Sequence, residues 1–331
     1  MPSRVLVTGG AGFIGGYVVR LLAERGDAVV SLDTREPDPE ARWWLRPVLD
    51  RITLVQGAME DWSAVVTTMR EHEPEIVVHV AAITNPVLLH RQPSVVLNTN
   101  LAGTFNLLEA SRLFGVGRFV NFSTIGVLPG LRSEPVDADH PVLLATEGPG
   151  ASFYGAGKVA AEAFCWAYRQ SYGLDFVTIR PSAVYGFGMR YPIYVKPMVE
   201  NAVNGVPTRF AQGREFPRDY THAADVAQLA VLAAHHPAEA VRDRVFYGAT
   251  GRPLVTAGRV AELVGELVPG ADIAIGPGLS EADEVEIRYR GVLSIENARA
   301  QLGYEPRYAD IRAGLAEFVE TYRRYLGEGA A

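Results

Sequence analysis

The sequence has a single cysteine, Cys165, which excludes an internal disulfide and a cysteine-built metal cage. It also lacks any apolar run near the ~20 residues that a membrane-spanning helix needs. The longest stretches, such as Ile76 to Ile83, are short and carry His79. No block of Lys and Arg occurs, and 31 Lys+Arg against 38 Asp+Glu leave a formal charge of −7. That balance argues against nucleic acid as the main partner. No secretory leader is expected, because Met1 leads straight into Val5-Leu6-Val7 without a long apolar core or cleavage site. There is no internal repeat and no low-complexity tract. The expectation is a protein of the cytoplasm with no membrane partner.

What is present is ordinary globular composition, 48% apolar and 21% charged over 331 residues. At ~150 residues per domain this is two domains, or one large fold with a lobe attached. Short β-rich runs at 4–8, 28–32, 76–80, 119–122 and 176–179 alternate with helix-period segments. From Phe13, apolar residues fall at Ile14, Val18, Leu21 and Leu22, one helix face, and Gly26 supplies a stop. Leu101, Phe105 and Leu108 mark another such face. Alternation of this kind predicts a doubly wound α/β fold with a parallel sheet covered on both sides. After Arg180 the pattern loosens, with helical spacing returning at Val260, Leu263, Val264 and Leu267 and at Ile311, Leu315, Phe318 and Tyr322. The expected division is a dinucleotide-binding Rossmann domain over 1–186, rejoined by 218–250. A smaller C-terminal substrate lobe would take 187–217 and 251–326.

The strongest local signal is Thr8-Gly9-Gly10-Ala11-Gly12-Phe13-Ile14-Gly15, where the first strand becomes the first helix. Free N–H groups and the helix dipole make an anion site there, and glycines let the backbone close on a pyrophosphate. A glycine-rich packing turn is the bland alternative. Asp33, at the end of the second strand and 18 residues after Gly15, stands where an acid binds a ribose 2′-hydroxyl. A carboxylate repels a 2′-phosphate, so NAD is favoured over NADP, although Arg35 is a nearby cation able to accept that phosphate.

Tyr154-Gly155-Ala156-Gly157-Lys158 places a tyrosine and a lysine one helical turn apart. An adjacent ammonium stabilises a phenolate, so the expectation is a lowered tyrosine pKa and a proton taken from a substrate alcohol. Ser123 and Thr124 follow the fourth expected strand, at the sheet edge where such folds bind ligands.

At these residues the chain resembles the extended short-chain dehydrogenase/reductase family, in particular its NAD-dependent epimerase/dehydratase branch. The resemblance runs to about Leu326. It rests on TGGAGFIG (8–15), HVAA (79–82), NTNLAGTFNLLEA (98–110), FST (122–124), YGAGK (154–158), RPSAVYG (180–186), RDYTHAAD (218–225) and LGYEP (302–306). It implies that Gly9, Gly12, Phe13, Ile14 and Gly15 face the pyrophosphate, that Asp33 holds the adenine ribose, and that Ala81, Ala82 and Ser123 line the cofactor pocket. By the same resemblance Asn100 props the active-site region within the cofactor-binding set. Tyr154 is then the general base, Lys158 also holds the nicotinamide ribose, and Thr124 is the catalytic Ser/Thr. Ala183 and Arg218 fall in the substrate site, Arg218 toward a diphosphate. The resemblance also implies a homodimer packed through helices near 98–114 and 154–172, and no metal.

Several positions depart from the family. Ala58 replaces an Asp that contacts adenine. Thr124 is followed by Ile125 and Gly126, not by the acid that drives elimination, which disfavours dehydratase chemistry. Leu128-Pro129 replaces an aromatic, and Ala183 replaces the Asn of nucleotide-sugar enzymes. The loop 129–152 carries Glu134, Asp137, Asp139, His140 and Glu147, expected to overhang the nicotinamide. Two reactions stay open on the same residues: epimerisation of a nucleotide-activated sugar, or net oxidation of a sugar acid, polyol or hydroxy acid. A non-catalytic cofactor-sensing protein is the third class, opposed by the retained Tyr154 and Lys158. His235-His236 and His222 read as helix-end groups, Trp43-Trp44 as local packing and Cys165 as a core or interface thiol.

Overall fold

The computed structural model describes residues 2–84, 91–128, 134–137, 139–140, 151–191 and 193–328. The strands of the first half are β1 (Arg4–Thr8), β2 (Ala28–Asp33), β3 (Ile52–Gln56), β4 (Ile76–His79), β5 (Arg118–Phe122) and β6 (Phe176–Pro181). Later come β7 (Ala183–Tyr185), β8 (Thr208–Phe210), β9 (Pro217–Arg218), β10 (Tyr220–His222), β11 (Val245–Gly248), β12 (Val255–Thr256) and β13 (Ile273–Ile275). Seven of them form one parallel sheet in the order β11-β6-β5-β4-β1-β2-β3. The order reverses between β1 and β4, and the carboxyl ends of that pair open the crevice where doubly wound sheets bind ligands.

Residues alternate faces along each central strand, as a period of two requires. Val5 and Val7 of β1, with Val78 of β4, join Val18 and Leu22 of the helix Phe13–Arg25 and Leu229 of the helix Ala223–His235. Leu6 and Val77 point the other way, into a core with Val65, Leu107, Leu108 and Cys165 from the helices Trp62–His72, Gly103–Leu113 and Phe153–Tyr172. Cys165 is therefore a core thiol. A third core, built from Tyr185, Met198, Val264, Leu315 and Phe318, holds the helices Val195–Val203, Ala257–Leu267 and Ile311–Glu328 together. Each such fully buried apolar side chain contributes about 1.5–3 kcal/mol of transfer free energy.

The expected strands and helices are present, and Gly26 ends the first helix with φ of +96°. The sheet has two more strands than the sequence pattern predicted. β3 is an edge strand whose residues, Leu54 among them, are largely exposed, so it shows no buried alternation. β11 joins the opposite edge from within the loosely patterned second half. Trp43 and Trp44 pack locally: Trp44 lies 4.3 Å from Tyr17, and Trp43 lies 5.1 Å from Phe187 and 5.6 Å from Tyr325. Among the described residues, no helix is long and apolar enough to cross a membrane.

His79 closes β4 as a fully buried imidazole, bonded to Thr8 Oγ1 and Thr104 Oγ1 at 2.8 Å each. The Thr104 hydroxyl donates its own proton to the Asn100 carbonyl, so it accepts from His79 Nε2. Nδ1 is then left as the acceptor for the Thr8 hydroxyl, which in turn accepts the Ala81 N–H. A second ring proton has no acceptor, and burial pushes the imidazole down to about 3. The unfolded chain takes that proton near 6.5, so the contribution to stability is present above that pH and is lost as pH falls toward about 3. The urea midpoint advantage of wild type over His79→Gln should shrink across that window; a constant difference would mean His79 is not the acid-sensitive group.

Candidate active site

Two cavities meet above the β1/β4 crevice. The first, of about 460 Å³, is lined by Gly9, Gly12, Phe13, Ile14, Gly15, Asp33, Ala81 and Ala82. Two of its glycines are obligatory. Gly9 has φ of +75°, and a Cβ on Gly15 would stand 2.0 Å from the Gly9 carbonyl oxygen. Any side chain at Gly15 would therefore push the helix off β1. Gly12 is the N-cap of that helix and has no side chain to cap it, so the first N–H groups remain available to an anion. Asp33 Oδ2 accepts the Ala11 N–H at 3.2 Å, and the exposed Arg35 shares the same wall. Ala58 does not line this cavity, whereas Glu60 does.

Asn100 does not line either cavity. It is buried in the π turn Asn98–Ala102, where Oδ1 accepts the Ile83 N–H at 2.7 Å and Nδ2 donates to the Ile83 carbonyl at 2.9 Å. Its contact is with the backbone after β4, which it holds in position, so it supports the Ala81-Ala82 wall from behind. Arg190 went unnoticed in the sequence. It donates to the Ala11 carbonyl at 3.3 Å and forms an ion pair with Asp38 at 2.6 Å, reaching across the glycine loop. Nothing in its local pattern signals that reach.

The second cavity, of about 570 Å³, collects Ser123, Thr124, Tyr154, Lys158, Ala183 and Arg218. It shares Phe13, Ile14, Ala82 and Tyr191 with the first, so the two are confluent. Tyr154 lies in the first turn of the helix Phe153–Tyr172, which Ser152 caps by accepting the Gly155 N–H at 3.0 Å. One turn on, Lys158 Nζ donates to the Phe122 carbonyl at 2.6 Å and sits 5.9 Å from the centre of the Tyr154 ring.

The electrostatics differ from the sequence expectation. Desolvation pushes the Tyr154 phenol up to about 12, and a hydrogen bond with Thr124 offsets only part of that rise. The ammonium of Lys158, which donates to the Phe122 carbonyl, does not offset that rise. Burial pushes Lys158 itself down to about 8, opposed by the charge of Glu162. Glu162 is in turn held by Arg180 through two bonds, at 3.0 and 2.7 Å. Ser123 Oγ is buried with no hydrogen-bond partner among the described residues.

Ile125 and Gly126 line the cavity after Thr124, and neither is a proton donor. The loop 129–152 is described only in part. Glu134 Oε1 accepts the Val292 N–H and the Asp137 carbonyl accepts the Tyr247 hydroxyl. Pro129 and Glu147 lie outside the described residues, and none of Glu134, Asp137, Asp139 and His140 lines the cavity. His222 caps the helix Ala223–His235 and pairs with Glu317 at 2.9 Å, while His235 meets Asp27 at 3.1 Å. No group of metal-ligating side chains occurs among the described residues.

The far wall was only partly legible. Arg218 donates from Nη2 to Glu286 Oε2 at 3.0 Å, and Arg290 forms an ion pair with the same carboxylate. Burial lowers both guanidinium pKa values, Arg290 to about 9 with Arg218 adding repulsion. Among the described residues, the Nε atoms of both arginines are buried without partners. Glu286 and Arg290 have the i, i+4 spacing of a helical ion pair, the one signal by which the sequence could have flagged them.

A model of the NAD dependent epimerase/dehydratase family matches residues 5–247. The UDP-glucose 4-epimerase of Mycolicibacterium smegmatis is 31% identical over 328 residues, covering 97% of this chain and 98% of that protein. Among solved structures, the UDP-glucose 4-epimerase of Thermotoga maritima with UDP-glucose superposes with a TM-score of 0.81 at 27% identity, covering 97% of this chain and 99% of the other. That of Thermus thermophilus in complex with NAD gives 0.79 at 29% identity, with the same coverage. The uncapped helix N-terminus, the glycine cradle and the unpartnered Ser123 hydroxyl fit a bound dinucleotide. The chain belongs to the NAD-dependent epimerase/dehydratase family, as an enzyme of the extended short-chain dehydrogenase/reductase type whose cofactor is NAD.

Proposed function

We propose that this enzyme epimerises a nucleotide-activated sugar by transient oxidation of a ring alcohol. The observation that carries the reading is the span of the second cavity. One cavity, confluent with the dinucleotide cavity, is lined both by Tyr154 and Thr124 and by Arg218 and Arg290. NAD, when bound, accepts a hydride from the substrate carbon and returns it. Tyr154 takes the hydroxyl proton as that hydride leaves, while Thr124 hydrogen-bonds the same oxygen. Lys158 stands 5.9 Å from the ring of a phenol that burial holds at about 12, and Glu162 opposes the loss of its charge. The keto sugar turns so that the hydride would return to the other face of its carbonyl carbon, and Tyr154 gives the proton back to the oxygen. With Ile125 and Gly126 after Thr124, no side chain at that position withdraws or delivers the proton of an elimination.

A second reading, net oxidation of a sugar acid, polyol or small hydroxy acid, is favoured by Ala183 in the cavity wall. We also propose a homodimer through the helices Gly103–Leu113 and Phe153–Tyr172, on which Phe105, Leu113, Phe153 and Trp166 are exposed.

Incubation with UDP-sugars and free sugar acids, following product and NADH together, separates the two reactions. A new sugar isomer without NADH supports epimerisation; NADH rising with product transfers the assignment to a dehydrogenase. Tyr154→Phe should lower kcat about 10²–10⁴-fold while NAD binding persists, and unchanged turnover would remove Tyr154 from the chemistry. Asp33→Ala should erode the preference for NAD over NADP in a binding titration. An unchanged ratio would put that discrimination on other residues.

A further inference from the structure

Arg218 and Arg290 share one carboxylate. Glu286 lies between them, its Oε2 at 3.0 Å from Arg218 Nη2 and its Oε1 on Arg290 Nη2. The two arginine side chains are 12% and 10% exposed, and that of Glu286 is 26% exposed. The cations are thus the fixed inner members, and the anion sits toward the rim. Glu286 also closes the short helix Glu281–Glu286, which runs into the single turn Ile287–Tyr289. Moving its carboxylate outward to water costs less desolvation than moving either arginine inward. Among the described residues, both Nε atoms are buried without a hydrogen-bond partner, so the single carboxylate does not satisfy the pair fully.

We propose that Glu286 is an internal anion occupying the Arg218–Arg290 pair, and that a substrate gains the pair by bringing a diphosphate that displaces it. This deepens the nucleotide-sugar reading and rests on it. An incoming monocarboxylate repeats what Glu286 already offers, and Glu286 competes at the effective concentration of a tethered group, in the millimolar range or above. A diphosphate brings at least two charges to two cations and more acceptor oxygens than one carboxylate. Exchange therefore discriminates by charge number: the far wall selects a diphosphate ester over a sugar acid, independently of what the sugar is. The same carboxylate satisfies the two guanidiniums whenever the diphosphate is away, which spares the fold a buried pair of like charges.

The test is a calorimetric titration of the NAD-loaded full chain, wild type and Glu286→Gln, with inorganic pyrophosphate, UDP, uridine and glucuronate. The variant should bind pyrophosphate and UDP about tenfold more tightly, with uridine unchanged. Glu286→Asp keeps the charge but is one methylene too short to span both arginines. It should show a smaller gain, and it decides the matter if the glutamine variant does not fold. Pyrophosphate binding that is unchanged or weaker in these variants overturns the proposal. If pyrophosphate tightens but UDP binds neither protein, the role of Glu286 stands and the nucleotide reading falls. If UDP binds wild type and variants alike, the nucleotide reading stands and the exchange falls. Failure of both anions to bind any of the three proteins overturns both.

Discussion

The crevice depends on a proton relay with no slack in it. Thr104 donates to the Asn100 carbonyl, His79 to Thr104, Thr8 to His79, and the Ala81 N–H to Thr8. Each hydroxyl gives one proton and receives one, which ties the carboxyl ends of β1 and β4 to the helix Gly103–Leu113. Asn100 then clasps Ile83 from the same turn. The result is that the segment after β4 enters the cavities at a set height, so the Ala81-Ala82 backbone lies within van der Waals range of the glycine loop. Gly9 has no room for a side chain because of that approach, since its Cβ would stand 2.8 Å from Ala81 Cα.

Desolvation, more than pairwise attraction, sets the charge states around Tyr154. Burial raises the phenol and lowers the ammonium. Lys158 is nevertheless kept useful by a chain of charges behind it, Glu162 and then Arg180, both nearly fully buried. A buried ion pair of this kind contributes little net stability relative to apolar packing. Its value here is positional: Arg180 grips both oxygens of Glu162, leaving that carboxylate with one orientation and Lys158 with a neighbour of fixed charge.

Sequence pattern made one half of this site legible and left the other half hidden. Gly9, Gly15, Asp33, Tyr154 and Lys158 stand out in the sequence because each belongs to a local pattern, one strand end or one helical turn, and all five line the two cavities. Asn100 was assigned to the right neighbourhood, but its contact is with backbone. The expected lowering of the Tyr154 pKa failed because spacing reports proximity and says nothing of burial. β3 was hidden because an edge strand needs no buried face. Arg190 reaches Ala11 across 179 residues of chain and Glu286 reaches Arg218 across 68, and no local periodicity encodes either meeting.

The aromatic cluster around Trp43 links the surroundings of the glycine loop to the last helix. Trp43 stacks edge-on against Phe187 and Tyr325, and Arg46 beside it pairs with Glu328 of the last helix. Phe187 leads within three residues to Arg190, which is tied to Ala11 and Asp38 over the glycine loop. The segment that crosses the glycine loop is thereby moored at three places at once: to the loop backbone at Ala11, to Asp38, and through the rings to the last helix. The C-terminal helix, far away in sequence, thus helps to fix the wall of the first cavity.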